Sequence, residues 1–358
     1  MDQNKIKKLI SGEKASFGVI LLYLLLRIAS VGYSIVVQLR NLMYSAGWLK
    51  AHHADAAVIS IGNITTGGTG KTPLVIWLCK QVISNYQCAI LTRGYKTSKQ
   101  EPEHLTDEPA IFAESCPEVN VIVNPDRVSG AEEAAIKFGS KVLIMDDGFQ
   151  HRRLARDLDV VTIDALLPFG YDKILPAGLL REPVSSLSRA DAVVITRCDQ
   201  VAENELSKIE EKLRQINPDI VIAKSVHTPA YVKSIDNREI SLEELKGRKV
   251  YAFCGIGNPD SFLRTVKTTD AEVVGSKIFN DHYHYTETCI VDIFEQAKKL
   301  KADLILTTQK DQNKINRPAP QKTEIPLAYL AIEIKFLSGE DKLRGLIEKT
   351  LAGKMPEL

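Results

Sequence analysis

The sequence predicts an α/β protein: a parallel sheet flanked by helices, with an apolar N-terminal helix and a second, smaller α/β domain. Three observations carry that expectation. From residue 56 onward, short and fully apolar runs alternate with helical patterns, as in a parallel sheet covered on both faces. A glycine-rich turn joins the first of those runs to a helix. The first 50 residues are more apolar and more basic than the rest. A chain of 358 residues has room for two domains at roughly 100–200 residues each. The expected division is residues 1–50, the helix; 51–228, the larger domain; 229–248, a linker; and 249–358, the smaller domain.

Residues 17–26, FGVILLYLLL, are uncharged until Arg27 intervenes. That run is short of the roughly 20 residues a bilayer span needs, and no small-x-small cleavage site follows it. Arg27, Ser30, Ser34, Gln38, Asn41 and Ser45 then recur at spacings of three or four, which on a helix forms one polar stripe among apolar faces. Such a helix suits a membrane interface; packing on the domain core and a true span are the alternatives. Charge points the same way. Residues 1–50 carry seven Lys/Arg against Asp2 and Glu13, so +5 of the net +1 lies there and the remainder holds −4. A membrane-associated helix facing an anionic surface is expected.

The strands are expected at residues 56–61, 88–92, 119–123, 141–145, 159–163 and 192–196, with helices over 72–84, 132–138 and 204–215. Pro229, Asn237, Arg238 and Gly247 interrupt the pattern near 228–247, and strands near 250–254, 303–307 and 327–332 follow. Apolar residues make up 44% and charged residues 25%, which excludes wholesale disorder and a multi-span membrane protein. The near-neutral balance excludes a general nucleic-acid binder. Cys79, Cys88, Cys116, Cys198, Cys254 and Cys289 show no C-x-x-C spacing, and buried reduced thiols are expected.

The sharpest local feature is VISIGNITTGGTGKTP at 58–73: an apolar strand, a glycine-rich turn ending Gly-Lys-Thr, and a helix with Pro73 in its first turn. Glycines let successive N–H groups converge on phosphate oxygens, and a helix N-terminus favours the same charge. Gly67, Gly68, Thr69, Gly70, Lys71 and Thr72 are therefore expected to hold a nucleoside triphosphate. In this reading Lys71 reaches the β- and γ-phosphates and Thr72 offers its hydroxyl to magnesium. Thr65 stands where the usual pattern has its first glycine, and Gly67-Gly68 supply the flexibility instead. The fold expected is thus P-loop NTPase-like. VLIMDD at 142–147 supplies the second element: an apolar strand ending in Asp146 and Asp147, one of which would hold magnesium directly or through water. Gln150, His151, Arg152 and Arg153 follow, concentrating donors near the same place.

A phosphate loop alone does not separate a kinase from an ATPase or a GTPase. The chain as a whole resembles the tetraacyldisaccharide 4′-kinase (lipid A 4′-kinase) family. The resemblance lies in GNITTGGTGKTP at 62–73, LTRGY at 91–95, TDEP at 106–109, DDGFQHRRL at 146–154, ILPAGLLREP at 174–183, GIGNPDSF at 255–262, NDHYHYT at 280–286 and TTQKD at 307–311. These stretches occur in the family's order across nearly the whole chain. Two departures are small: the family often has Gly at position 106 and Glu at position 309, where this chain has Thr and Gln.

The resemblance implies transfer of the ATP γ-phosphoryl, with Mg2+, to the 4′-hydroxyl of a tetraacylated glucosamine disaccharide 1-phosphate, a step of lipid A biosynthesis. It also implies a location on the cytoplasmic face of the bacterial inner membrane, and no obligate protein partner. Asp107 matches the family's catalytic aspartate, which would accept the proton of a poorly nucleophilic hydroxyl. His282 matches the histidine that orients that base from the second domain, so the pair is expected to form only when the domains approach. Arg181 would contact the γ-phosphate and Glu182 would join the magnesium shell. Arg127 and Tyr95 are weaker matches for substrate or phosphate contacts, with ordinary packing roles as the alternative. Lys310-Asp311 is left open between a base-reading pair and a helix start. The competing function is a membrane-associated P-loop ATPase that recruits protein partners. That type commonly carries a lysine at the start of its loop, where this chain has Thr66.

Overall fold

In the computed structural model, residues 17–94, 107–281, 283–315 and 325–354 are described. They form two compact units that are interleaved in sequence. The first holds the described residues up to Arg93, Glu118–Val226 and Phe336 onward; the second holds those of Gly94–Pro117 and His227–Lys335. The sequence reading separates the two α/β domains once, at a linker over 229–248. The structure instead returns the C-terminal segment to the first unit and assigns the region around 107–117 to the second. Side chains far apart in sequence explain the return: Phe336 stacks 4.9 Å from Trp77, and Trp77 Nε1 donates to Glu340 at 3.3 Å.

In the first unit, strands β1 (Ala57–Gly62), β2 (Cys88–Thr92), β3 (Asn120–Val123), β4 (Val142–Asp146), β5 (Leu158–Asp164), β6 (Ala192–Thr196) and the start of β7 (Val221–Ser234, which belongs to the second unit from His227 on) lie in the order β3-β2-β4-β1-β5-β6-β7. All these pairings are parallel. Every residue of β1, β2, β4 and β6 is buried, which is why those runs carry no polar alternation. The order reverses at β1/β4, so the carboxyl ends of these two strands open the crevice where α/β sheets bind ligands. Register places Ile61 beside Asp146 and Gly62 beside Val161.

The helices cover both faces. Helix α1 (Phe17–Ser45) precedes the sheet, and α2 (Lys71–Val82) follows β1. Helix α3 (Asp107–Ser115) belongs to the second unit. Helix α4 (Arg127–Phe138) starts five residues before the expected 132, because the Asp126 side chain accepts from Val128 N at 3.0 Å and caps it. Helix α5 (Glu203–Ile216) buries Leu206, Ile209 and Leu213, three side chains at helical spacing worth about 1.5–3 kcal/mol each.

The second unit holds a parallel group in the order β10-β9-β11-β12, built from β9 (Lys249–Cys254), β10 (Glu272–Ile278), β11 (Leu304–Thr308) and β12 (Leu327–Ser338). The two-residue β8 (Glu239–Ile240) pairs with β7. Helices α6 (Pro259–Lys267) and α7 (Glu287–Lys299) are capped by Asn258 and Thr286, and the one-turn α8 (Gln309–Gln312) by Thr308. Helix α9 (Glu340–Lys354) closes the first unit and buries Leu343, Ile347 and Leu351. The expected break at Pro229 is a strand: β7 pairs with β6 at 221–224 and with β8 at 232–233, leaving the donorless proline between them. All six cysteines are free, five of them buried.

Candidate active site

The phosphate loop begins where β1 ends. Gly62 has no room for a side chain, since a Cβ there would stand 2.6 Å from Phe149 N. Gly67 (φ +108°) and Gly70 (φ +86°) adopt left-handed conformations that favour glycine, and open space surrounds Gly67 and Gly68. No side chain caps α2 at Gly70, so its first N–H groups remain available to an anion. Lys71 and Thr72 are the first two residues of that helix.

Strand ends hold the loop from behind. Thr69 Oγ1 lies 2.7 Å from Thr162 Oγ1, and Thr196 Oγ1 donates to the Thr69 carbonyl at 2.9 Å. The Thr69 side chain therefore faces β5, and only its backbone remains for a phosphate. Arg197 donates to the Gly68 carbonyl at 2.9 Å while pairing with Asp164 at 2.5 Å. Thr66 N donates to Leu179 O at 2.8 Å and Arg181 N to Ile64 O at 2.7 Å, which ties the loop to the 179–181 segment. Sequence reasoning missed Arg197 and Asp164. Their one signal was a charged residue at the carboxyl end of each of two buried strands.

Three charges converge beside the loop. Lys71 Nζ lies 3.2 Å from Asp147 Oδ1, and Arg181 Nη1 lies 2.8 and 3.0 Å from the two oxygens of that carboxylate. Burial opposes ionisation of Asp147, but Lys71 and Arg181 outweigh it and hold the carboxyl well below the usual range. Gln150 accepts from Arg181 at 3.4 Å and donates to the Asn63 carbonyl at 2.9 Å, so it braces both the cation and the loop's entrance. Asp146 is buried and accepts from Thr92 Oγ1 at 3.1 Å. Burial, together with the Arg127 charge, pushes the His151 imidazole down to about 4, so it is neutral at pH 7.

Other expected residues stand elsewhere. Glu182, assigned to the magnesium shell, is fully buried, and its oxygens are taken by Arg40 at 3.2 Å, Asn41 at 2.8 Å and Arg189 at 3.1 Å. It is an anchor for α1. Arg127 is buried and donates to the carbonyls of Asn124 at 2.6 Å and Asp146 at 3.3 Å, bracing the end of β4 rather than facing a ligand. Arg152 turns to α1, donating to Asn41 O at 2.8 Å with its guanidinium 5.1 Å from the Tyr44 ring. Arg153 pairs with Asp126 at 2.8 Å. Tyr95 and His282 lie outside the described residues. Asp107 opens α3 in the second unit, and Asp281 and Tyr283, on either side of position 282, lie in a loop of that unit.

Replacing Glu182 with alanine leaves Arg40 and Arg189 without their partner. The expected loss is about 2–3 kcal/mol, less than for a fully buried pair because Arg40 is 38% exposed. Denaturant unfolding of the two proteins checks this, and a difference below roughly 0.5 kcal/mol would contradict the anchor.

The oxygen donors at the loop suit Mg2+. Thr72, Asp146 and Asp147 offer a hydroxyl and carboxylates, and among the described residues no group of three or more His, Cys, Asp and Glu could hold a metal alone. Magnesium is commonly held by one or two carboxylates, with phosphates and water completing its shell. The open glycine rim and the unpaired start of α2 suit the triphosphate.

Similarity to known proteins follows the same lines. The family model for tetraacyldisaccharide-1-P 4′-kinase matches residues 22–352. The tetraacyldisaccharide 4′-kinase of Halothermothrix orenii is 36% identical, over 95% of this chain and 95% of its own length. That of Chlorobaculum parvum is 35% identical, over 97% of this chain and 98% of its own. A solved structure of LpxK from Aquifex aeolicus in complex with ATP is 29% identical, with a TM-score of 0.71, covering 92% of this chain and 99% of that one. A match that runs from within α1 almost to the end of α9 makes this chain a member of the tetraacyldisaccharide-1-P 4′-kinase family.

Proposed function

We propose that this chain transfers the γ-phosphoryl of ATP to the 4′-hydroxyl of a tetraacylated glucosamine disaccharide 1-phosphate, a step of lipid A biosynthesis. The observation that carries the reading is the convergence of Lys71 and Arg181 on Asp147 beside the phosphate loop, in a chain of this family. Two cations held there can receive the charge of a migrating phosphoryl group. The bond formed is 4′-O to γ-phosphorus; the bond broken is the β–γ bridge, and ADP leaves. The hydroxyl proton goes to Asp107, with His282 orienting that carboxylate. Magnesium, held through Thr72 and one of Asp146 and Asp147, would neutralise charge on the β- and γ-oxygens. Mass spectrometry of the lipid after incubation with ATP tests the reading, with a gain of one phosphate expected. ATP hydrolysis without a phosphorylated lipid would overturn it.

The same reading puts the protein at the cytoplasmic face of the inner membrane, where ATP meets the lipid. Its support is the polarity of α1. Ser30 donates to Ile174 O at 2.7 Å, Tyr33 to Arg181 O at 3.2 Å and Asn41 to Glu182 at 2.8 Å, so much of the polar stripe turns toward the body of the first unit. Ile28, Val31, Ile35, Val36, Leu39 and Leu42 are exposed instead, by 52–70%. Water alone would favour the opposite arrangement. Ile20–Ser45 is long and apolar enough to cross a bilayer by length and composition. Its attachment along 30–44 favours a helix laid against lipid on one side.

Replacing Ile28 and Ile35 together with aspartate is expected to weaken binding to anionic vesicles by roughly 100-fold or more, because each isoleucine contributes about 1.5–3 kcal/mol of burial. Flotation measures it, and equal flotation of the two proteins would remove the membrane reading.

A further inference from the structure

Lys310 and Asp311 have no part in the reaction as argued so far, yet much of the second unit meets at them. Both sit in the single turn of α8, directly after β11, with Asp311 N donating to Thr308 Oγ1 at 3.0 Å. Lys310 Nζ lies 3.0 Å from Glu108, the residue that follows Asp107 in α3. At the far end of α3, Glu114 accepts from Gln309 at 2.8 Å, Lys233 at 2.8 Å and Tyr329 at 2.5 Å. Consecutive residues of one turn therefore grip both ends of the helix that bears Asp107.

Asp311 is fully buried and takes the Gly255 N–H at 3.0 Å, Thr308 Oγ1 at 2.7 Å and Lys314 Nζ at 3.4 Å. Gly255 in turn abuts the segment around position 282. A Cβ on it would stand 3.0 Å from the Tyr285 hydroxyl, 3.1 Å from Asn280 O and 3.2 Å from Tyr283 Cβ. The rings of Phe279, Tyr283 and Tyr285 pack at centroid distances of 4.5–5.3 Å, which stiffens that segment on both sides of 282.

We propose that Lys310 is a positioning residue: it fixes the first turn of α3, the turn that bears Asp107, while the buried Asp311 beside it anchors the turn of α8 to Gly255. Because Gln309 and Lys310 are adjacent in one capped turn, they hold both ends of α3 to the same support. This rests on Asp107 being the base.

The test uses the full chain and transfer from γ-labelled ATP to the disaccharide lipid. Lys310→Ala is expected to lower kcat roughly 10- to 100-fold, the scale of a misplacement of about 1 Å. KM for ATP and the thermal midpoint should be unchanged. Lys310→Arg should recover most of the loss, and Lys310→Ala should add nothing to Asp107→Ala, as expected of residues acting as one unit. Parental kcat in Lys310→Ala beside an inactive Asp107→Ala would overturn the clamp alone. So would a loss that follows a lowered midpoint, resists arginine and adds fully to Asp107→Ala. Parental turnover in Asp107→Ala would remove the base itself.

Discussion

Arg181→Ala is expected to slow phosphoryl transfer roughly 10³- to 10⁵-fold, the range seen when a cation is removed from a transferring phosphoryl group. The guanidinium meets both oxygens of Asp147 and reaches Gln150. Its main chain is fixed as well, since Arg181 N donates to Ile64 O and its carbonyl accepts from Tyr33. A donor held that firmly needs little reorganisation when charge develops beside it. KM for ATP should move only a few-fold, because the glycine rim, Lys71 and the start of α2 remain. Arg181→Lys keeps the charge but loses the planar fork, and should fall between alanine and the parent. Loss of the arginine should also let the Asp147 carboxyl rise toward its ordinary range, with Lys71 left as its cation. Initial rates at saturating ATP and lipid decide the matter: an alanine variant within tenfold of the parent would rule out this role for Arg181.

The residues that needed a local reason were legible in the sequence. A loop that cradles phosphate needs glycine where φ is positive, and Gly67 and Gly70 occupy those positions. Strands buried on both faces need unbroken apolar runs, which made β1, β2, β4 and β6 readable to within a residue or two. Glu182 was not readable, because its partners Arg40 and Asn41 lie more than 140 positions away. Its place beside Arg181 suggested a ligand when it is a tie. The stripe of α1 was legible from its spacing, but a period of three and four fixes only which residues share a face. Which face meets protein depends on the carbonyl of Ile174 and the carboxylate of Glu182. The interleaving of the two units was hidden for the same reason: Glu114, Lys233 and Tyr329 meet only in three dimensions.

Asp107→Asn is expected to reduce kcat roughly 10²- to 10⁴-fold, the usual contribution of a general base. A sugar hydroxyl ionises far above neutral pH, so bond formation to phosphorus needs an acceptor for its proton during the step. Asp107 is the first residue of α3. Asparagine preserves the size of the side chain and removes its basicity, so it separates proton transfer from packing better than alanine does. ATP binding should be unchanged within about twofold in both variants, because the glycine rim, Lys71 and the start of α2 are untouched. The acid limb of the parent's kcat/KM profile, which reports a carboxylate that must be ionised, should vanish in the asparagine variant. The limb falls as pH drops because protonation removes the acceptor. An asparagine variant retaining parental turnover and the same acid limb would move the base to another residue. Retained turnover without the limb would mean that proton removal does not limit the step.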